Sequence, residues 1–192
     1  PGQEKCDDKC HTVATTSRMN RVMPLIEAQR QKCAAEDKCP MKELKALSNV
    51  RCASGKAGEY DCSGVDLQSF VPLSDLGSNG NGNDIWGWTD ESDGSEWAIF
   101  CAVDGTSFVD VTDATNPNVV AWMPTATTSS TWRDAKVYKD HVYIVSEASG
   151  HGMQVYDLTK LRSLRRKRRR QTISADVWYT EFGNAHNIVM NE

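Results

Sequence analysis

The chain has 192 residues, 39% of them hydrophobic and 8% aromatic, which suits one ordinary domain or two small ones and excludes bulk disorder. Its net charge of −4 excludes nucleic-acid binding on charge alone, although Arg165 to Arg170 is an uninterrupted basic run. No signal peptide and no apolar run of membrane length are visible, so a secreted product is expected to begin at Pro1 after processing.

Residues 1–50 read as a small helical module. Leu25, Ile26, Gln29 and Cys33, then Met41, Leu44 and Leu47, recur at three- and four-residue steps. Pro24 suits a helix start, and Pro40 marks a break between two helices. Such a pair is too small to be held by burial, and six cysteines fall in or near it: Cys6, Cys10, Cys33, Cys39, Cys52 and Cys62. Their spacing contains no Cys-x-x-Cys knuckle, so a disulfide framework in an oxidising compartment is expected rather than zinc. Connectivity is not readable from the sequence, but Cys52 and Cys62 enclose a Gly-rich loop and form the best single pair.

Residues 51–83 read as that loop and a linker. Val65 to Leu73 looks extended, and Ser78 to Asn83 is a loop by composition. From residue 84 to 192 the period is two. Strands are expected at Ile85–Trp88, Glu96–Ala102, Ser107–Val111 and Val119–Met123, which is the make-up of one propeller blade. A second set follows at Trp132–Tyr138, His141–Ser146 and Gly152–Leu158, with an outer strand at Ile173–Tyr179. A third set opens at Asn184–Met190.

One phrase occurs twice. Asp104-Gly105-Thr106-Ser107-Phe108-Val109-Asp110-Val111-Thr112-Asp113 is echoed by Gly150-His151-Gly152-Met153-Gln154-Val155-Tyr156-Asp157-Leu158-Thr159, and Asp110 and Asp157 lie 47 residues apart. That interval points to a propeller blade or solenoid module. The expected fold is therefore mostly β: a partial β-propeller of about two blades plus the start of a third, after a disulfide-stapled helical module. Two blades leave open edges and an uncovered apolar face, so a longer product or other chains are expected to complete the ring.

The phrases Val65-Asp66-Leu67, Gly82-Asn83-Asp84-Ile85-Trp86-Gly87-Trp88, Phe108-Val109-Asp110-Val111-Thr112-Asp113 and Ser130-Thr131-Trp132-Arg133-Asp134 continue with Gly150-His151-Gly152-Met153-Gln154-Val155 and Ala185-His186-Asn187-Ile188-Val189. Over roughly residues 52–192 the chain resembles the LVIVD-repeat, or choice-of-anchor B, proteins. The resemblance implies a β-propeller in an exported, commonly surface-attached protein, and it implies no particular reaction. Residues 1–50 and the Arg165–Arg170 run depart from that pattern.

Asp84, Asp134, Glu147, His151 and His186 are the residues from which a divalent metal site could be built, calcium included, but their spacing matches no ligand motif. Turn caps and hydrogen bonds between blades are the plainer use of them. Asp90 to Glu96 looks like a calcium loop but lacks the length of an EF-hand, and a polar hairpin turn explains it. Ser146, His151 and Asp134 form a hydrolase triad on paper only. The run Arg165, Arg166, Lys167, Arg168, Arg169 and Arg170 reads as an exposed, mobile segment that is a processing site, a patch for polyanions such as sulfated glycans, or a solvated loop. All six tryptophans are expected in the core, and Cys101 as a buried thiol.

Together these features describe a secreted or cell-surface, non-enzymatic structural or adhesive subunit with no cofactor. Its expected partners are other protein chains, in a homo-oligomeric or filamentous assembly, with glycans as a further class. Nucleic acid and a membrane span are not expected. The contrasting readings are a metal-dependent binder or hydrolase at the propeller face, and a polyanion binder acting through the basic run.

Overall fold

Alternation with a period of two folds here as antiparallel sheet. The computed structural model describes residues 44–191, and the stretch Lys45–Glu192 is a compact unit of its own. The expected helices and Cys6, Cys10, Cys33 and Cys39 lie outside the described residues.

The first sheet is a meander of β5 (Gly82–Asp90), β6 (Ser95–Ala102), β7 (Gly105–Asp110) and β8 (Asn118–Pro124). The second contains β9 (Arg133–Tyr138), β10 (His141–Ser146), β11 (Met153–Asp157) and the short β13 (Val177–Tyr179), all antiparallel. Ahead of them, β1 (Leu47–Val50) pairs with β4 (Leu67–Phe70), and β2 (Lys56–Ala57) with β3 (Tyr60–Asp61). Neither large sheet closes on itself. The chain is mostly β, and propeller closure is not seen.

Local chemistry sets these elements. Lys139 and Asp140 hold φ of 45° and 59°, the pair of positive values a two-residue hairpin turn needs to match strand twist. Asp-x-Ser/Thr steps close strands and turns by one device: the aspartate Oδ1 accepts both the backbone N–H and the hydroxyl two residues on. Asp90 with Ser92, Asp110 with Thr112, Asp113 with Thr115 and Asp157 with Thr159 all do this. The two members of the repeated phrase, Asp110 and Asp157, are thus structurally equivalent.

Their glycines are equivalent too. A Cβ on Gly105 would lie 2.5 Å from the Met123 carbonyl oxygen, and one on Gly152 would lie 2.1 Å from that of Tyr179. In each sheet the glycine lets the next strand outward, β8 or β13, approach closely.

The sheets pack face to face. Trp88, Trp97, Ile99, Cys101, Phe108, Ala121 and Met123 from one meet Ala135, Val142, Ile144 and Tyr156 from the other. Leu158 and Leu161 join them from a 3-10 turn (Leu158–Lys160) and the short α2 (Leu161–Leu164). Burying each large side chain here contributes roughly 1.5–3 kcal/mol.

Five expectations are corrected. Leu47 belongs to strand β1 rather than a helix, because its edge pairs with β4. Pro72 ends the extended stretch, and Leu73–Leu76 forms a helical turn, α1, closed by Gly77 at φ 105°. The outer strand expected at Ile173–Tyr179 is confined to Val177–Tyr179, while Gln171–Thr172, β12, joins the first sheet parallel to β8. Asn184–Met190 is not a strand, since no neighbouring strand pairs with it among the described residues. Trp86 and Trp178 are 41% and 51% exposed, on β5 and β13, each the edge strand of its sheet among the described residues.

Cys101 is free, fully buried beside Thr106, and burial pushes its thiol up to about 12. Peptide mapping after alkylation of the native protein is therefore expected to leave Cys101 unmodified, with full labelling once the protein is unfolded. Labelling in the native state would mean that the two sheets separate.

Candidate functional site

Two of the polar residues singled out from the sequence meet at the end of the sheets where β5 and β9 begin. Asp84 and Asp134 stand near the starts of these strands. Asp84 Oδ2 accepts the backbone N–H of Ala135 at 3.2 Å, so the first strand of one sheet ties the first strand of the next. Asp134 repeats the act: its Oδ2 accepts the N–H of Ile188 at 2.9 Å. Each aspartate thus caps the segment that opens the following unit.

Lys136 lies between the two carboxylates. Its Nζ donates to Asp134 Oδ1 at 2.5 Å, sits 3.6 Å from Asp84 Oδ2, and lies 4.3 Å from the centroid of the Trp86 ring. Burial and a hydrogen bond shared with Asp134 raise Asp84 above the usual carboxylate range. Burial acts the same way on Asp134, but bonds from Asp84, Lys136 and Ile188 outweigh it and hold that carboxylate below the range. Of the two carboxylates, Asp84 is therefore the one that takes up a proton first on acidification.

The other candidates go elsewhere. His186 Nδ1 bonds Glu147 Oε1 at 2.6 Å, and its ring packs 5.2 Å from that of Trp132. His151 is fully buried and pairs with Arg133. The five candidate metal ligands thus divide among three places, with a lysine ammonium already lodged between two of them. Among the described residues, no three His, Cys, Asp or Glu side chains come together to hold a metal. The triad on paper is not assembled either. Ser146 Oγ donates to the Trp132 carbonyl at 3.0 Å, His151 faces Arg133, and Asp134 faces Lys136.

Arg133, expected from the sequence to cap a turn with its neighbour Asp134, is instead a buried link between segments. It is 1% exposed. Its guanidinium donates to the Ala102 carbonyl at 3.0 Å, to Thr125 Oγ1 at 2.6 Å and to His151 Nε2 at 3.0 Å, linking both sheets. No carboxylate touches it among the described residues, and burial lowers its pKa. His151 must therefore be neutral, with Nδ1–H directed to the Gly152 carbonyl at 3.1 Å. Burial, aided by the Arg133 charge, holds the imidazole below its ordinary range. Only the neutral ring can accept from Arg133.

The opposite ends of the strands carry a second clamp. Arg162 donates to both oxygens of Asp90, at 2.6 and 2.8 Å. Arg165 pairs with Asp110, and with Asp93 at 3.4 Å. Arg162 lies just outside the basic run and Arg165 opens it, so the start of the run is a strap onto the first sheet rather than a mobile loop. Its last member, Arg170, donates to the Asp75 carbonyl at 2.8 Å. The polar turn Asp90–Glu96 is a hairpin whose first carboxylate is taken by Arg162 and Ser92. The recurring Asp-x-Ser/Thr step was the signal that could have identified these aspartates as caps. Arg133 had no such signal.

These clamps set the response to acid. His151 has a depressed folded pKa, so its contribution is fully present above the unfolded value of about 6.5 and is lost as pH falls through and below it. Asp90 is also depressed, chiefly by its Arg162 hydrogen bond. Its contribution is present above the unfolded value of about 3.9 and is lost on further acidification. The thermal midpoint is expected to drop between about pH 7.5 and pH 5, and His151→Gln, which keeps an acceptor, is expected to flatten that drop. An equal drop in both proteins would remove His151 from the account.

The disulfide Cys52–Cys62 closes the loop that carries β2 and β3. No helix among the described residues is long and apolar enough to cross a membrane. Comparison with protein-family models, with curated proteins and with solved structures gives no match.

Proposed function

We propose that the chain is a segment of a β-propeller scaffold that works outside the cell as a non-enzymatic assembly subunit, joining further copies of itself edge to edge. The observation that carries this reading is the aspartate relay. Asp84 caps the second unit at Ala135, and Asp134 caps the opening of a third at Ile188, so the units succeed one another by one rule. The matched glycines and aspartates of the repeated phrase support the same succession.

The open edge supports assembly. Among the described residues, strand β13 pairs with β11 on one side only and presents Val177, Trp178 and Tyr179 at 53%, 51% and 44% exposure. Monomeric proteins guard such edges with lysine, proline or bulges, and this strand has none of these within it. The polar groups proposed for chemistry are all engaged in caps and clamps, which favours a structural role over catalysis. A cysteine-rich leader and the Cys52–Cys62 bond favour an oxidising compartment.

Light scattering on the size-separated, oxidised chain tests the proposal. Self-association that rises with concentration is expected, and Val177→Lys/Tyr179→Lys is expected to leave a folded monomer. A wild-type chain that stays monomeric, or a double variant that associates equally well, would overturn it.

A further inference from the structure

We propose that Arg166, Arg168 and Arg169, with the groove that Arg166 borders, form a binding site for a sulfated polysaccharide. The cations of this region divide into two sets. Arg162 and Arg165 are spent on Asp90, Asp93 and Asp110, Arg170 holds a backbone carbonyl, and Lys167 donates to Gln171 Oε1 at 3.3 Å. The side chains of Arg166, Arg168 and Arg169 are exposed and make no hydrogen bond or ion pair among the described residues. Structural pairing therefore explains the ends of the strap and leaves its middle unexplained.

Anchoring improves that middle as a site. The strap is held at Arg165 and at Arg170, where Gln171–Thr172 also pairs with β8, so three guanidinium groups within four residues are presented from a fixed segment. Less freedom is then lost on binding than from a loose tail. Beside it lies a groove of about 460 Å³ lined by Asp93, Ser95, Trp97, Arg162, Arg165 and Arg166. Asp93, the one carboxylate in that lining, faces Arg165, which offsets its repulsion of an anion.

The chemistry favours sulfate on a sugar chain. Guanidinium forks match the planar pairs of oxygens on sulfate and carboxylate groups. Nucleic acid would call for exposed aromatic faces on which bases stack. Trp97, the aromatic of the groove, is 2% exposed, so no such face is offered. The remainder of the chain is acidic overall, which confines polyanion attraction to this strap.

The experiment is binding of the full oxidised chain to immobilised heparin across a salt series. Wild type is expected to bind, with affinity falling as salt rises. Arg166→Ser/Arg168→Ser/Arg169→Ser is expected to weaken binding on the order of tenfold or more, through lost charge contacts. Lys45→Ser/Arg51→Ser/Lys56→Ser, equal in charge change but elsewhere on the unit, is expected to leave it within about twofold. Circular dichroism reports whether each variant is folded. Equal losses in both triples, no loss in the first, or single-stranded DNA bound as tightly as heparin would each overturn the proposal.

Discussion

Arg133→Ala is expected to lower the stability of the Lys45–Glu192 unit by roughly 3–5 kcal/mol, read by denaturant unfolding. Three acceptors lose their donor at once: the buried Ala102 carbonyl and His151 Nε2, and the part-buried Thr125 Oγ1. Each orphaned buried group costs about 1–3 kcal/mol, and the emptied volume adds a cavity term. Against this stands the cost of burying a guanidinium that no carboxylate touches, which the substitution relieves. Arg133→Met separates the two effects, since it fills much of the volume without restoring a bond. If the hydrogen bonds dominate, Met recovers only the cavity part and stays well below wild type. A Met variant as stable as wild type would mean that charge burial cancels the bonds, leaving Arg133 no net clamping role.

Gly152→Ala is expected to free strand β13 from the second sheet, with a loss of roughly 2–5 kcal/mol. Two costs combine there. The residue holds φ of +60°, and its new Cβ would meet the Tyr179 carbonyl oxygen at 2.1 Å. Backbone of a paired strand cannot yield without breaking its ladder, so β13 must move away. Gly105→Ala imposes the second cost without the first, because its φ is not positive and its clash is with the Met123 carbonyl oxygen at 2.5 Å. The two substitutions should therefore both detach the next strand outward, β13 or β8, with Gly152→Ala the costlier at the backbone. Amide exchange in Val177–Tyr179 and Asn118–Pro124 reads which strand is released. Unchanged exchange in both would end the equivalence of the two repeated phrases.

Much of the sheet structure was legible because its signals are local. Alternation, the Lys139–Asp140 turn and the Gly-to-Asp phrase each act within a few residues, and the strands fall where they point. What failed was set at a distance. Leu44 and Leu47 share a helical spacing, yet Leu47 is claimed by β4, twenty residues on. Gln171–Thr172 is too short to show a period, and only its pairing with β8 makes it a strand. Asn184–Met190 has the composition of a strand but, among the described residues, has no strand to pair with, and is irregular.

The candidate site divides along the same line. That Asp84 and Asp134 cap turns or link units is the plainer reading of their sequence positions, and the relay through Ala135 and Ile188 gives it a geometry. The Arg133–His151 pair was not legible, because the buried arginine is defined by a carbonyl, a hydroxyl and an imidazole from three separate segments. Nor was the strap, since a run of like charges looks solvated until Asp90, Asp93 and Asp110 are placed beside it.

The most direct test of the assembly account is hydrogen exchange of the oxidised chain at low and at high concentration. At low concentration, the outward-facing amides of β13 are expected to exchange quickly while those of β6, β7 and β10 stay protected. At high concentration, protection is expected to spread to Val177–Tyr179 as copies pair along that edge. Exchange in β13 that is independent of concentration, whether fast or slow throughout, would contradict edge-to-edge assembly.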